Sequence, residues 1–110
     1  MTPLTQELLT TMSAVSGFSS RDILSRKRFH PLPALRWMIG RELIINHYTN
    51  SLAARELKLN RATLLHGIKT LDLMRSDKSR GWQLEIDIEK QFKTAIYGKE
   101  GINEQGAAQP

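Results

Sequence analysis

No cysteine occurs anywhere in the chain, so neither a disulfide framework nor a cysteine-based zinc site can organise it. Long apolar runs are missing as well. None approaches the roughly 20 residues of a membrane-spanning helix. Residues 1–16 mix polar and apolar types and lack the basic start and apolar centre of a secretory leader. The expectation is a soluble, cytoplasmic protein. Catalytic patterns are absent too. His30, His47 and His66 share no metal-ligand spacing, and no serine lies in a nucleophile-elbow context. Asp72, Asp77, Glu85, Asp87 and Glu89 fall on polar faces or loops, and Trp37 and Trp82 read as packing residues rather than stacking platforms. The sequence predicts no enzyme, no cofactor and no metal.

What is present is positive charge, unevenly spread. The 110 residues carry a formal net charge of +5, and their number suits one domain around one core. Between Arg21 and Arg80 stand 13 Lys/Arg against 5 Asp/Glu, whereas the rest of the chain holds 3 against 6. A basic centre between acidic ends favours a polyanionic partner, although a solvated charged surface has the same composition.

Apolar spacing predicts helices throughout. Residues 3–15 place Leu4, Leu8, Met12 and Val15 on one stripe, with Thr2 as cap, Pro3 at the first helical position and Gly17 as stop. Ser19 or Ser20 can cap a short helix through Ile23. Residues 25–33 form a basic loop closed by Pro31 and Pro33. A longer helix over 34–48 buries Leu35, Ile39 and Leu43, with Met38 and Ile45 as further candidates. Gly40 inside it costs about 1 kcal/mol relative to Ala, which suggests close packing there. Residues 76–81 read as a loop. A last helix over 82–97 carries Leu84, Ile88, Phe92 and Ile96; the alternation at 84–88 also fits a strand, but the continuation favours helix. The domain spans 1–98, and the Gly- and Gln-containing residues 99–110 read as a disordered tail.

The most informative stretch is 52–68, LAARELKLNRATLLHGI. Thr49, Asn50 and Ser51 can cap a short helix with the small apolar face Ala53, Ala54 and Leu57. Lys58, Leu59 and Asn60 break it. Asn60 then caps a second helix beginning at Arg61, whose apolar set is Leu64, Ile68 and Leu71, with Gly67 between them. Ala62, Leu65, His66 and Lys69 share another face. The pattern is that of a helix-turn-helix, whose second helix lies in the DNA major groove. Two ordinary surface helices would show the same spacing.

With those elements in order, the chain from about Val15 to Tyr97 resembles the C-terminal DNA-binding domain of the bacterial chromosomal replication initiator, the DnaA family. The resemblance rests on FSSRDILSRKR, on a long helix leading into RELIINHYTNSLAARELKL, and on NRATLLHGIKTLD. It implies an all-α, compact domain of five to six helices containing a helix-turn-helix of the DnaA C-terminal or Trp repressor kind. The family's hallmark, Arg-Asp-His-Thr-Thr-Val-Leu-His-Ala, aligns with residues 59–67. Thr63, Leu65 and His66 match. Leu59, Asn60, Arg61 and Ala62 stand in place of its Arg, Asp, His and first Thr, so the scaffold is kept and the reading surface altered. The chain has no glycine-rich phosphate loop followed by Lys-Ser/Thr. The implied protein is a free-standing relative of the family's last domain.

The resemblance also implies roles. Arg26, Lys27, Arg28, Arg36 and Lys69 are expected on phosphates. His30, near the point where the family places an Arg in the minor groove, is expected to reach that groove. Asn60, Arg61, Ala62, Leu65 and His66 are expected to face the bases, Arg61 bidentate to guanine and Leu65 against thymine methyls, and Thr63 is expected among the DNA-binding residues. Double-stranded DNA is the implied partner, with replication or regulatory proteins as further ones. Two alternatives stay open. One is a protein-interaction module that has lost specific DNA binding, favoured by Leu59 in place of an Arg. The other is a dimeric transcription regulator.

Overall fold

The computed structural model describes residues 1–74, 76 and 81–101, with no side chains described for 99–101. Most of the loop expected over 76–81 and nearly all of the tail expected over 99–110 lie outside the described residues. The described residues hold six helices and no strand: α1 (Pro3–Ser16), α2 (Ser20–Ile23), α3 (Leu32–Ile45), α4 (Asn50–Glu56), α5 (Arg61–Met74) and α6 (Gln83–Gly101). The fold is all-α, as expected from the spacing. No helix of the described residues is long and apolar enough to cross a membrane.

Local chemistry sets most helix ends. The Thr2, Ser19 and Thr49 side chains accept from the backbone amides of Thr5, Asp22 and Leu52. Gly17 ends α1 in the left-handed region at φ +82°, which glycine adopts without a Cβ penalty. Helices α3 and α4 end alike but without glycine: His47 (φ +73°) and Lys58 (φ +60°) take the left-handed position. At the first, the amide of Tyr48 reaches back to Leu43 O and that of His47 to Ile44 O; at the second, Leu59 reaches Ala54 O and Lys58 reaches Arg55 O. Both are Schellman ends, in which the residue after the left-handed one packs an apolar side chain on the helix. Leu59 therefore has a structural task, and it lies half-buried against the core.

Helix α3 is central and packs against every other helix. It starts at Leu32, ahead of the expected start at 34, because a helix tolerates Pro33 in its first turn. It ends at Ile45 rather than 48, which leaves Ile45 56% exposed instead of buried. Its Gly40 is needed for contact: a Cβ there would stand 2.5 Å from Leu64 Cδ1 on α5.

Helix α6 departs most from expectation. It continues to Gly101 through Gly98, which has no left-handed φ. Leu84, expected in the core, is 54% exposed, while Glu85 and Glu89, expected on a polar face, are buried beside Ile88 and Phe92. The reason is long-range pairing. Arg41 donates to Glu89 and also lies 3.7 Å from Asp72, and His30 meets Glu85. Tyr97 donates to the buried Glu42.

A second polar cluster joins α1 to α4. Glu56 Oε1 accepts from the Thr2 amide (2.8 Å), the Thr5 hydroxyl (2.6 Å) and the Thr2 hydroxyl (3.0 Å). The Thr2 amide and the Thr5 hydroxyl hold the Glu56 carboxyl below its ordinary value. A depressed folded-state value stabilises the protein above the unfolded pKa, and that stabilisation is lost as pH falls through the folded one. Wild type should therefore lose more thermal stability between pH 7 and pH 3 than Glu56→Gln does. Parallel acid limbs for the two proteins in a melting series would remove Glu56 from the account.

Candidate nucleic-acid interface

Helix α5 is fixed on one side and open on the other. Leu64, Gly67, Leu71 and Met74 are buried. A Cβ at Gly67 would lie 2.2 Å from Trp37 Cδ1 and 2.3 Å from Cγ and Nε1, so the indole of α3 occupies the place of a side chain. Asn60 Oδ1 caps the helix by accepting from the amides of Ala62 (2.8 Å) and Thr63 (3.4 Å). With its oxygen so engaged, the amide nitrogen of Asn60 keeps its donors for an outside acceptor.

Six of the seven residues proposed on this helix and its cap are exposed: Asn60, Arg61, Ala62, Thr63, His66 and Lys69. Leu65 is half-buried. No salt bridge engages Arg61, His66 or Lys69 within the described residues. Sequence reasoning passed over Arg55 and Lys58. Both are exposed, in the last turn of α4 and in the connection that leads to Asn60. Their signal was available: two cations within five residues of the cap.

The basic loop is anchored at both ends. Ser25 Oγ donates to Asp22 O and accepts from the Lys27 amide at 3.2 Å, while Lys27 Nζ pairs with Asp22 at 3.1 Å. Arg26 and Arg28 are exposed without an ion pair among the described residues, and Phe29 is 54% exposed. At the far end, His30 Nδ1 donates to Glu85 Oε2 at 2.8 Å and meets the Trp82 ring edge-on, with ring centroids 5.8 Å apart.

Arg36 is a correction. Expected on a phosphate, it is 5% exposed and donates through Nε to Ile23 O and through Nη2 to Lys27 O. Burial, and secondarily the charge of Arg28, lowers its pKa from the ordinary arginine value. Its job is internal: it ties the end of α2 and the start of the loop to α3. The next residue, Trp37, holds α5 at Gly67. Two successive residues of one helix thus set the loop and α5 relative to each other. His30 is corrected in part, since the side chain expected in a minor groove is exposed but already bonded to Glu85.

No three His, Asp or Glu side chains gather as a metal site among the described residues. Comparison with known proteins gives no match to any family model, curated protein or solved structure.

Proposed function

We propose that the protein binds double-stranded DNA, with α4 and α5 acting as a helix-turn-helix and the loop at 25–30 supplying phosphate contacts. One observation carries the reading. The buried side of α5 faces the core, while its leading side offers Asn60, Arg61, Ala62, Thr63, His66 and Lys69 to solvent with no ion pair among the described residues. A short helix, a four-residue connection and a second helix capped by Asn60 give this face the form that enters a major groove. Arg26, Arg28, Arg55, Lys58 and Lys69 would hold phosphates, and Arg61 would read a guanine edge.

The order of elements supports kinship with the replication initiator's C-terminal domain, so an initiator-type box is the first target and chromosomal DNA in the cytoplasm the proposed setting. Leu59 does not favour the loss of DNA binding, because its apolar side chain serves the end of α4.

Fluorescence anisotropy on a box-bearing and a random duplex, across a salt series, tests this. Phosphate contact makes log affinity fall linearly with log salt. Arg61→Ala should cost about 1–3 kcal/mol at one base pair and relax sequence preference, whereas Arg26→Ala should weaken every duplex alike. No binding to either duplex at low salt would sink the reading. Equal losses on all sequences for Arg61→Ala would deny it a base-reading role.

A further inference from the structure

We propose that Glu85 is a positioning residue for the basic loop, acting through His30, so that this carboxylate strengthens DNA binding instead of opposing it. The inference rests on the DNA reading above. It begins from a mismatch in exposure: the side chain of Glu85 is 3% exposed and that of His30 72%, yet the two meet at 2.8 Å. A carboxylate only accepts, so the ring nitrogen carries the proton of this bond. The Trp82 ring stands edge-on to His30 at an interplanar angle of 74°, and His30, Gly81, Trp82, Leu84 and Glu85 line a cleft of about 450 Å³. His30 thus rests, still largely exposed, against Trp82 and Glu85 at the start of α6, whereas Arg28 and Phe29 have no such side-chain partner among the described residues.

The opposite end of the loop is held by different elements. Arg36 on α3 grips Lys27 O, and Asp22 on α2 grips Ser25 and the Lys27 ammonium. Arg28 and Phe29 lie between the two anchors, both exposed. Releasing the His30 anchor removes the side-chain tie next to Arg28; the Lys27 carbonyl on Arg36 and the Leu32 amide on Phe29 O remain, so the segment 28–30 is held less tightly. Ordering that segment on DNA would then cost conformational entropy that folding otherwise covers.

Simple electrostatics predicts the opposite sign. A carboxylate beside a cationic loop repels phosphates, so deleting it should tighten binding. The test compares wild type with Glu85→Leu, Glu85→Gln, His30→Ala and the double variant His30→Ala/Glu85→Leu. Anisotropy against salt on the tightest-binding duplex is the readout, and backbone amide relaxation of residues 26–30 is recorded without DNA. Glu85→Leu and His30→Ala should each weaken binding about fivefold to tenfold, and each should flatten the salt slope as phosphate contacts are lost. The double variant should be no worse than either single one. Glu85→Gln, which keeps an acceptor for the ring N–H, should stay within about twofold of wild type. The amides of 26–30 should become more mobile in Glu85→Leu and His30→Ala but not in Glu85→Gln.

If wild type binds and Glu85→Leu binds equally or more tightly, the positioning role is overturned and the DNA reading stands. If wild type does not bind, both are overturned. Losses that add in the double variant would show His30 and Glu85 acting separately, which also overturns the proposal. Should Glu85→Leu fail to fold, the exposed His30→Ala decides: weaker binding with mobile loop amides supports the anchor, and weaker binding with unchanged amides makes His30 a direct contact and overturns it.

Discussion

Gly67→Ala should destabilise the protein by about 2 kcal/mol, although alanine is the better helix former by roughly 1 kcal/mol. The opposing effect is steric. The new methyl would fall within 2.3 Å of three atoms of the Trp37 ring, where no flexible chain end is available to swing aside. Forcing carbon into a filled space costs about 1–3 kcal/mol and at times more, and the ring here is held on α3 beside the Arg36 clamp. In a domain of this size the melting midpoint should fall by roughly 10 °C. Trp37→Leu in the same protein should return most of the loss by vacating the space. A midpoint for Gly67→Ala at or above wild type would mean that the indole moves at no cost.

Arg36→Met should be worse, at about 3 kcal/mol. Methionine reproduces the stem but not the head, and the carbonyls of Ile23 and Lys27 lose charged donors. Hydrogen bonds to charged groups are worth about 1.5–3 kcal/mol each, and an orphaned buried acceptor adds its own penalty. Arg36→Lys should recover only part of this, because an ammonium cannot reproduce the guanidinium fork that serves two carbonyls at once. Urea unfolding of the three proteins separates this role from the one expected at first. A phosphate ligand at Arg36 would leave the unfolding midpoint of Arg36→Met unchanged and lower DNA affinity alone.

The difference between legible and illegible features follows sequence distance. Thr2, Ser19, Thr49 and Asn60 were readable as caps because a cap bonds within three residues of itself. Gly17 and the buried Leu64–Leu71 stripe are readable for the same local reason, and Gly40 is readable because a glycine inside a helix itself signals close approach, though its partner Leu64 lies on another helix. Glu85, Glu89 and Glu42 were not, since their partners lie 55, 48 and 55 residues away. Without those partners in view, residue type alone assigns a glutamate to solvent and a leucine to the core, which turns α6 so that Leu84 faces inward and Glu85 outward, the reverse of the structure. Arg36 failed in the same way. Its acceptors are backbone carbonyls, which leave no trace in residue types. At the candidate interface, the residues on α5 could be placed by periodicity alone, whereas the loop's attachment through His30 required the fold.

The way the chain spends its charges separates what folding selects from what it ignores. Among the described residues, Glu42, Glu56, Glu85 and Glu89 are each committed to partners on another element, and Arg36 is committed to backbone. Among those same residues, Arg26, Arg28, Arg61 and Lys69 enter no salt bridge. A mutational library scored only for folded protein should therefore punish changes at the first group and pass nearly any residue at the second. Drift under folding alone would erase the basic face within a lineage while keeping its acidic interior. Where descendants of this chain keep those four cations, a pressure other than folding has kept them.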